Sequence, residues 1–197
     1  MANITKTLEN LTRRGFQARY FDTSAEANAY LVEALKGQTV GMGGTMTAKE
    51  MGLNEALTAA GIPVISHWAG FTAEEAAQAQ AYISSVNGAA ETGELINIDG
   101  TGNRVASGIY GHKEVYYVVG VNKVAPDYER ALWRARNIAA PRNAQRLGVK
   151  TPCALRGDRC YDCDSPGRIC KALTVLWRKP TAIGHAEVVL VDEALGY

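Results

Sequence analysis

The chain has 197 residues, of which 47% are hydrophobic and 21% are charged, and its formal net charge is +1. This length suits one domain with a sizeable core, and the composition excludes wholesale disorder. The near-neutral charge argues against a nucleic-acid-binding protein, and no apolar stretch approaches a membrane-spanning length. The N-terminal sequence MANITKTLENLTRRGF lacks the apolar region of a secretion signal. We therefore expect a cytoplasmic protein whose thiols stay reduced, with no nucleic-acid or membrane partner.

The first half of the chain predicts strands that alternate with helices. Apolar spacing predicts a first helix over residues 1–14, which is ended by Gly15. Further helices are expected to begin at capping boxes, in which a threonine pairs with a glutamate three positions later: Thr23 with Glu26, Thr47 with Glu50, and Thr72 with Glu75. The second of these helices is predicted to reach Ala60. The strands predicted between the helices are FQARYF, TVGMGG, IPVISHW and AYISSV.

The second half begins with turn signals at Asn87-Gly88 and Thr92-Gly93, which predict a hairpin-like excursion over 89–98. The apolar run EVYYVVGVN then predicts a central strand that is covered on both faces. A helix in PDYERALWRARNIA follows, with Pro126 near its first turn. The segments ALTVLW and AEVVLVDE are expected as further strands, added antiparallel or at an edge of the sheet.

Strands and helices therefore alternate with short, glycine-marked turns between them. This pattern predicts the α/β class, with a mostly parallel sheet and helices on both of its faces. Only the cysteine-rich segment near the C-terminal end interrupts the alternation. We expect a single domain over residues 1–197 that carries a metal-binding cysteine loop at 151–171.

The segment VGMGGTMTAKEMG places Gly41, Gly43 and Gly44 between a strand and a helix. Free backbone N–H groups at such a junction can bind an anion, and ligands of open α/β sheets gather at this edge. Gly43, Gly44 and Thr45 are therefore candidate ligand-binding residues. The spacing matches neither the dinucleotide fingerprint nor the Walker loop, so it specifies no nucleotide. A tight turn that needs glycine for a positive φ is the alternative interpretation.

The segment DGTGNR is a second candidate binding loop, because its two glycines let side chains approach a ligand closely. Its candidate ligand-binding residues are Asp99, Thr101, Asn103 and Arg104. Arg104 is the only Lys or Arg between Lys49 and Lys113. Its guanidinium suits a carboxylate or phosphate in a bidentate arrangement. A structural salt bridge is the alternative role for this arginine.

Asn122 and Lys123 follow the strand VYYVVG and complete the predicted site. Because the carboxyl ends of parallel strands meet at one edge, we expect both residues to share a cleft with the two glycine loops. Lys123 is predicted to bind an anion, with an ordinary surface lysine as the alternative. The histidines show no metal-ligand or triad spacing and are interpreted as loop or core residues: His67, His112 and His185.

All the cysteines lie in CALRGDRCYDCDSPGRIC with the spacing C-x6-C-x2-C-x6-C: Cys153, Cys160, Cys163 and Cys170. Their confinement to one irregular loop predicts that they converge on one metal centre. A 4Fe-4S cluster is favoured, because a zinc ribbon usually has two C-x2-C knuckles and this loop has one. A zinc ion, disulfides or redox-active thiols, and unliganded thiols are the alternatives.

Basic residues surround the cysteines, since residues 130–179 carry twelve Lys or Arg against three acidic residues. Such a segment can face phosphates, an acidic partner or the negative charge of a metal–thiolate cluster. A solvated basic face is the alternative. The charge pattern therefore agrees with a cluster but does not require one.

Several segments together resemble the LUD-domain (lactate utilisation) proteins over nearly the whole chain: VGMGGTMTAKEMGL, NIDGTGNRVAS, VVGVNKV, NIAAPRNAQRLGVKTPC, CYDCDSPGRIC and EVVLVDEALGY. The cysteine motif is similar to that of one branch of this family. The resemblance implies a three-layer α/β sandwich similar to the sugar-isomerase and CoA-transferase superfamily. It also implies a link to the oxidation of lactate to pyruvate alongside iron–sulfur partner proteins. Class I CoA-transferases use a glutamate where this chain has Val86, so that activity is not expected.

Three functions are compatible with these expectations. The first is an iron–sulfur protein that supports oxidation of lactate or a related 2-hydroxy acid, together with iron–sulfur or redox partner proteins. The second is a binding protein or enzyme for a small anion, such as an organic acid, sugar phosphate or CoA ester, with a structural zinc. The third is an assembly subunit whose basic half docks an acidic partner. Homo-oligomerisation is left open by the sequence.

Overall fold

The computed structural model describes residues 2–197, so Met1 of the predicted first helix and domain lies outside the described residues. The helices are α1 Ile4–Arg13, α2 Ser24–Ala34, α3 Met46–Glu50, α4 Leu53–Ala59, α5 Ala73–Ala76, α6 Asn103–Ile109, α7 Tyr128–Arg134, α8 Ala140–Arg146 and α9 Pro152–Arg156. The strands are β1 Gln17–Phe21, β2 Val40–Met42, β3 Val64–Ser66, β4 Ala81–Ser84, β5 Gly88–Ala90, β6 Leu95–Asp99, β7 Glu114–Gly120, β8 Val124–Ala125, β9 Ala172–Leu176 and β10 His185–Val191. Short 3₁₀ turns occupy His67–Ala69 and Val121–Lys123, and a π-helical turn, Ala135–Ala139, joins α7 to α8.

The main sheet has six strands in the order β1-β10-β7-β4-β2-β3, and all of its pairs are parallel. β7 lies inside this sheet, as its apolar sequence predicts. Side chains alternate between the two faces, so Tyr116 and Val118 join one core while Val115, Tyr117 and Val119 join the other. Helices cover both faces, which confirms the predicted α/β class and three-layer arrangement.

The prediction that AEVVLVDE is an antiparallel or edge strand is wrong. β10 pairs in parallel with β1 on one side and β7 on the other, with Glu187 opposite Gln17 and Tyr116. Its residues from Ala186 to Val191 are all buried. An apolar run of this kind belongs to a strand that is covered on both faces, and β10 therefore enters the interior of the sheet.

A second sheet has the order β8-β5-β6-β9. β5 and β6 form the predicted hairpin, with Gly88 opposite Ile96. β9 pairs antiparallel with β6 at the edge, which confirms the prediction for ALTVLW. Ala131 and Ala135, at α7 and the π-helical turn, pack against this sheet through Ala90. The DGTGNR loop follows β6 of the second sheet. β9 of the same sheet follows the cysteine loop in the chain.

Two of the three predicted capping boxes are present: Thr23 with Glu26, and Thr72 with Glu75. The third, at Thr47, is wrong, because Thr45 is the residue that caps α3, where its hydroxyl accepts the Ala48 N–H. The helix predicted to reach Ala60 is divided in two. Gly52, with a φ of 69°, separates α3 from α4 because this left-handed conformation cannot continue a helix.

Pro126 lies directly before the N-cap of α7, near its first turn as predicted, and the carboxylate of that cap, Asp127, accepts the Arg130 N–H at 2.8 Å. One smaller boundary differs from the predictions. The strand IPVISHW ends at Ser66, where a 3₁₀ turn begins. Among the described residues, no helix combines the length and apolar character needed to cross a membrane.

Candidate functional site

An open cleft of about 710 Å³ lies at the edge of the main sheet where β2, β4 and β7 end. The loops after β2 and β6, the end of α8 and the cysteine loop contribute to its walls. This is the edge at which open α/β sheets bind ligands. The cleft brings together eight of the nine predicted ligand-binding residues: Gly43, Gly44, Thr45, Asp99, Thr101, Asn103, Arg104 and Lys123.

Asn122, the ninth predicted residue, does not line the cleft. Its amide oxygen accepts the Leu195 N–H at 3.2 Å, and its NH₂ group donates to the Gly196 carbonyl at 3.3 Å. β7 ends in the 3₁₀ turn Val121–Lys123, in which neighbouring side chains leave the backbone in different directions. The expectation that Asn122 shares the cleft with Lys123 is therefore wrong, because the Asn122 side chain bonds to the C-terminal segment.

Gly43 lets two large side chains approach the backbone of the first loop. A Cβ atom at this position would lie 2.5 Å from the Tyr82 hydroxyl oxygen and 2.6 Å from Arg104 Cγ. At Gly44, a Cβ atom would meet His67 Cε1 at 3.3 Å. Neither glycine has a positive φ. The requirement for glycine at 43 therefore comes from the close packing of Arg104 and not from a left-handed turn.

Asp99 and Arg104 hold the second loop together. The Asp99 carboxylate accepts the backbone N–H groups of Arg104 at 2.9 Å and Val105 at 3.2 Å. The Arg104 guanidinium donates to the Ile98 carbonyl at 2.8 Å and to the Asn97 side-chain oxygen at 3.3 Å. Within the described chain, Arg104 forms no ion pair with a carboxylate. The guanidinium has five N–H donors. The donors in these two hydrogen bonds hold it to the second sheet, and the others remain available for a ligand.

Lys123 is buried in the wall of the cleft, with 4% of its surface exposed, so the surface-lysine alternative is wrong. Its Nζ donates to Thr47 Oγ1 at 2.7 Å and to Ser85 Oγ at 3.0 Å. Burial, and then the positive charges of Arg134 and Arg104, lower the pKa of Lys123 to about 7. At neutral pH the amine is therefore uncharged in a large fraction of the molecules.

His67, which the sequence indicates as a loop or core residue, and Ser85, which was not predicted, also line the cleft. Burial and the charge of Arg146 lower the pKa of His67. Both residues follow parallel strands at the same edge of the sheet as the glycine loops. This position after a strand could have predicted them as cleft residues. The other histidines have structural partners, as interpreted: His112 Nδ1 lies 2.8 Å from the Ala79 carbonyl, and His185 Nε2 lies 2.9 Å from Glu187.

Cationic side chains dominate the cleft. Five basic side chains from the described residues line it, against the side-chain carboxylate of Asp99, with Lys123 charged in only part of the molecules at neutral pH: Arg104, Lys123, Arg146, Arg168 and Lys171. The first two come from the sheet edge, whereas the other three come from the basic segment around the cysteines. A concave surface with this surplus of positive charge attracts anionic ligands.

All four cysteines line a second, smaller cavity of about 20 Å³: Cys153, Cys160, Cys163 and Cys170. Each is a partly buried free thiol. Cys153 lies on α9, and the others lie on residues 157–171, which form no helix or strand. Among the described residues, no three His, Cys, Asp or Glu side chains are grouped closely enough to hold a metal ion.

Arg168 connects several parts of the cysteine loop. Its guanidinium donates to the carbonyls of Cys163 at 2.7 Å and Cys170 at 3.0 Å, and to the Asp162 carboxylate at 3.1 Å. The Cys160 sulfur accepts the backbone N–H of Asp162 at 3.3 Å. One arginine thus ties together the backbone at two of the four thiols.

Four thiols line one cavity among arginines that offset thiolate charge, so these residues have the chemistry of a metal–thiolate centre, but their sulfurs must move closer together to hold an ion. Hydrogen bonds from Ser165, together with the charge of Arg168, lower the pKa of Cys163 and favour its thiolate, the form that binds metals. Burial raises the pKa of Cys170. A cavity of about 20 Å³ has room for roughly one water-sized particle. A cubane cluster therefore requires the loop to open, and a single ion requires a smaller movement.

The two cavities share a wall. Ala140, Arg168 and Ile169 line both of them, and Pro166 and Gly167 from the same loop face the cleft. The cysteine loop is therefore part of the larger site. A ligand in the cleft and a group bound by the thiols would be neighbours.

The fold and site define an α/β protein with a cationic cleft at the edge of a parallel sheet, beside a four-cysteine loop. The family model described as LUD domain matches residues 4–191, and the chain belongs to this family. Membership makes it a lactate-utilisation-related protein at the level of the family.

One similar solved structure is the crystal structure of a DUF162 family protein from Deinococcus radiodurans, determined at 1.70 Å resolution. The two chains share 15% sequence identity with a TM-score of 0.55, and the match covers 95% of each chain. At this identity the likeness shows the fold alone. A comparison with curated protein sequences gave no match.

Proposed function

We propose that this LUD-domain protein binds a 2-hydroxy acid such as lactate, or the corresponding 2-oxo acid, in the cationic cleft. In the same proposal, the four cysteines hold an iron–sulfur cluster that supports oxidation of the hydroxy acid. The observation that carries the proposal is the wall of Ala140, Arg168 and Ile169, which places the cleft and the thiols side by side. Binding of the acid in the cleft and binding of the cluster by the cysteines would therefore occur next to each other.

The cleft offers the ligand two basic side chains at the sheet edge: Arg104, and Lys123, which is charged in only part of the molecules at neutral pH. Arg104 keeps uncommitted guanidinium donors there, and a guanidinium matches a carboxylate in a bidentate arrangement. Lys123 is buried beside two hydroxyl groups, which suit the hydroxyl or carbonyl oxygen of the ligand. Arg104 lies at the start of α6, after β6 of the second sheet, and Lys123 lies in the turn after β7 of the main sheet, so the ligand would bridge the two sheets.

A cluster bound by Cys153, Cys160, Cys163 and Cys170 would supply one-electron transfer. Oxidation of a 2-hydroxy acid to a 2-oxo acid releases two electrons and two protons. An iron–sulfur or redox partner protein must therefore accept the electrons, and the basic segment around the cysteines suits an acidic partner. The chain's own contribution is to bind the acid, to hold the thiols and to place the two sites together.

The size of the cavities favours a second candidate function. A cleft of about 710 Å³ is in the range that accommodates drug-sized ligands, which is much larger than a three-carbon acid. The small cysteine cavity suits a single ion better than a cubane. The second candidate is therefore a protein that binds a larger organic acid, sugar phosphate or CoA ester and carries a structural zinc at the cysteines.

Metal and sulfide analysis of anaerobically purified protein separates the two candidates. The first predicts iron, acid-labile sulfide and broad visible absorbance, all of which are lost in Cys163→Ser. The second predicts a colourless protein with one zinc per chain. A matched control is Asp164→Asn, an exposed position in the same loop that leaves all four thiols in place and should keep the metal. Thiols that bind neither iron nor zinc would contradict both candidates.

Calorimetric titration tests the ligand. Lactate and pyruvate should bind, and Arg104→Lys should weaken them by about 1.5–3 kcal/mol, which is roughly 10- to 100-fold, because the fork is lost. Since Arg104 also bonds to the Ile98 carbonyl, a moderate loss of thermal stability should accompany the weaker binding. A variant that melts far earlier but binds normally would show that Arg104 is only structural.

A further inference from the structure

Among the described residues, Lys123 is a buried amine without an acidic partner. Within residues 2–197 its Nζ bonds only to the hydroxyl groups of Thr47 and Ser85, which also lie 3.1 Å from each other. No carboxylate within the described residues forms an ion pair with it. Buried lysines are normally paired, so an unpaired one at the wall of a cleft requires an explanation.

The charged groups around this amine disfavour its protonated form. Arg104, at the start of α6, and Arg134, at the end of α7, are positive, whereas Glu50 at the end of α3 opposes them weakly. Glu50 is itself engaged, because its carboxylate accepts the Gly196 N–H at 2.6 Å. Burial and the two arginines together bring the pKa of Lys123 to about 7. Desolvation and nearby cations both make a lysine a better nucleophile, because they lower its pKa and favour the uncharged amine.

We propose that Lys123 forms a covalent imine with the carbonyl carbon of a 2-oxo acid bound in the cleft. This inference rests on the proposed function, because it takes the same ligand class at the same site. It adds a chemical activity to what would otherwise be a binding site. Lys123 becomes a catalytic residue, since it bonds to the reacting carbon.

The reaction balances without an oxidant or reductant. The uncharged amine attacks the carbonyl carbon, a C–N bond forms, and the carbonyl oxygen becomes a hydroxyl group. That hydroxyl then leaves as water when the C=N bond forms, so one water molecule is released for each imine. Ser85 and Thr47 lie within hydrogen-bond distance of the nitrogen and can move protons between it and the departing oxygen.

The neighbouring residues suit a 2-oxo acid in particular. In such an acid the carboxylate is bonded directly to the carbonyl carbon, so the anion-binding group must lie close to the amine. Arg104 meets this condition, because it lines the same cleft and bonds to Asn97, whose amide donates to the carbonyl of Ser85, the residue that also bonds to the Lys123 amine. A simple aldehyde or ketone would lack the anchor that Arg104 provides.

Borohydride trapping tests the proposal on the whole protein. Pyruvate and the protein are mixed at pH 7, sodium borohydride is added, and the product is examined by intact mass and peptide mapping. Reduction of the imine leaves a secondary amine, and the chain gains the mass of pyruvic acid minus one oxygen atom. We expect this adduct on Lys123. Exposed lysines, with pKa values of about 10.4, hold on the order of 10³ less uncharged amine at this pH.

Two matched variants and one matched ligand complete the experiment. Lys123→Met removes the amine with little change in volume and should abolish the adduct, while Lys49→Met, outside the cleft, should keep it. Lactate has no carbonyl carbon at this position and should give no adduct. Circular dichroism checks that Lys123→Met is folded, and peptide mapping of the unmodified chain locates the adduct independently of any variant.

A parallel calorimetric titration with pyruvate separates this inference from the proposed function. Binding without an adduct would overturn the imine and leave the binding function standing. An adduct spread over many lysines, and equal in Lys123→Met, would also overturn it. Absence of both binding and adduct would overturn the two proposals together. An adduct confined to Lys123 supports the imine even where the reversible affinity is weak.

Discussion

The cleft and the cysteine loop are built in opposite ways. The functional side chains of the cleft start from strand ends or short helices and bond to distant parts of the fold, as Lys123 does with Thr47 and Ser85. The cysteine loop runs through 157–171 without a helix or strand, and its best-connected residue, Arg168, bonds within the loop itself. The fold therefore positions the cleft residues directly, whereas the thiols depend mostly on contacts within the loop, with few bonds to the rest of the fold such as that from the Cys160 N–H to Asn137 at 3.2 Å.

The largest effect that follows from this difference concerns Arg168. Arg168→Lys keeps the positive charge but loses the fork that joins the carbonyls of Cys163 and Cys170. Residues that orient metal ligands typically contribute 10- to 100-fold to metal affinity, and we expect a loss of that size. Competition with a chelator measures it. The control is Arg159→Lys, because the exposed Arg159 side chain lies over the Tyr161 ring, does not line the cysteine cavity and should matter little.

A second prediction concerns how the buried amine of Lys123 makes the free energy of unfolding depend on pH. Its folded pKa, about 7, lies below the value of about 10.4 in an unfolded chain, so the unfolded state binds more protons between these values. The free energy of unfolding should therefore rise with pH in this window, by about 2 kcal/mol from pH 7 to 9. Denaturant titrations at both pH values measure the rise, and Lys123→Met should remove this part of it. An equal rise in the variant would mean that the amine is charged when folded.

The same comparison shows what the sequence could and could not predict. Glycine loops after parallel strands converge for topological reasons, so Gly43 and Arg104 were correctly placed in one cleft. The burial of Lys123 was not predictable, because it depends on side chains from α3 and from the end of β4. The position of β10 was missed for a related reason: an apolar run shows that both faces are covered but not which strands lie beside it.

The cysteine segment shows a different limit of prediction from sequence. Its spacing predicts that all four thiols converge on one metal centre; in the structure they line one cavity, but no three of them are grouped closely enough to hold a metal ion. It could not predict that the loop also forms a wall of the cleft, because that depends on how Ile169 and Arg168 pack against Ala140 of α8. Motif spacing reports on contacts within a segment, whereas the relation between two segments is a property of the fold.

A third prediction tests whether the cleft is as rigid as its hydrogen bonds imply. In Gly43→Ala the new Cβ would meet the Tyr82 hydroxyl at 2.5 Å and Arg104 Cγ at 2.6 Å, so Arg104 must move. We expect about tenfold weaker pyruvate binding, equivalent to about 1.4 kcal/mol. Gly44→Ala is the control, since its Cβ meets only His67 at 3.3 Å and should leave the affinity nearly unchanged. Equal losses in both variants would argue against a specific role for the Gly43–Arg104 contact.

The smallest effect is expected at the rim of the cleft, where Thr72 caps α5. Its hydroxyl accepts the Glu75 N–H at 3.2 Å, and loss of such a cap typically costs about 1 kcal/mol. Thr72→Ala should therefore lower the free energy of unfolding by about that amount. Thr58→Ala is the control, because the Thr58 hydroxyl bonds within its own helix to the Asn54 carbonyl and alanine is the better helix former.

The informative measurement on Thr72→Ala is its metal content, taken alongside its stability. If the cleft residues are positioned by the fold and the thiols by local contacts, a small loss at the rim should leave the metal content unchanged. A parallel loss of metal would mean that the wall of Arg168 and Ile169 transmits changes from one cavity to the other. The two regions would then act as one coupled site, and their different construction would no longer imply independent behaviour.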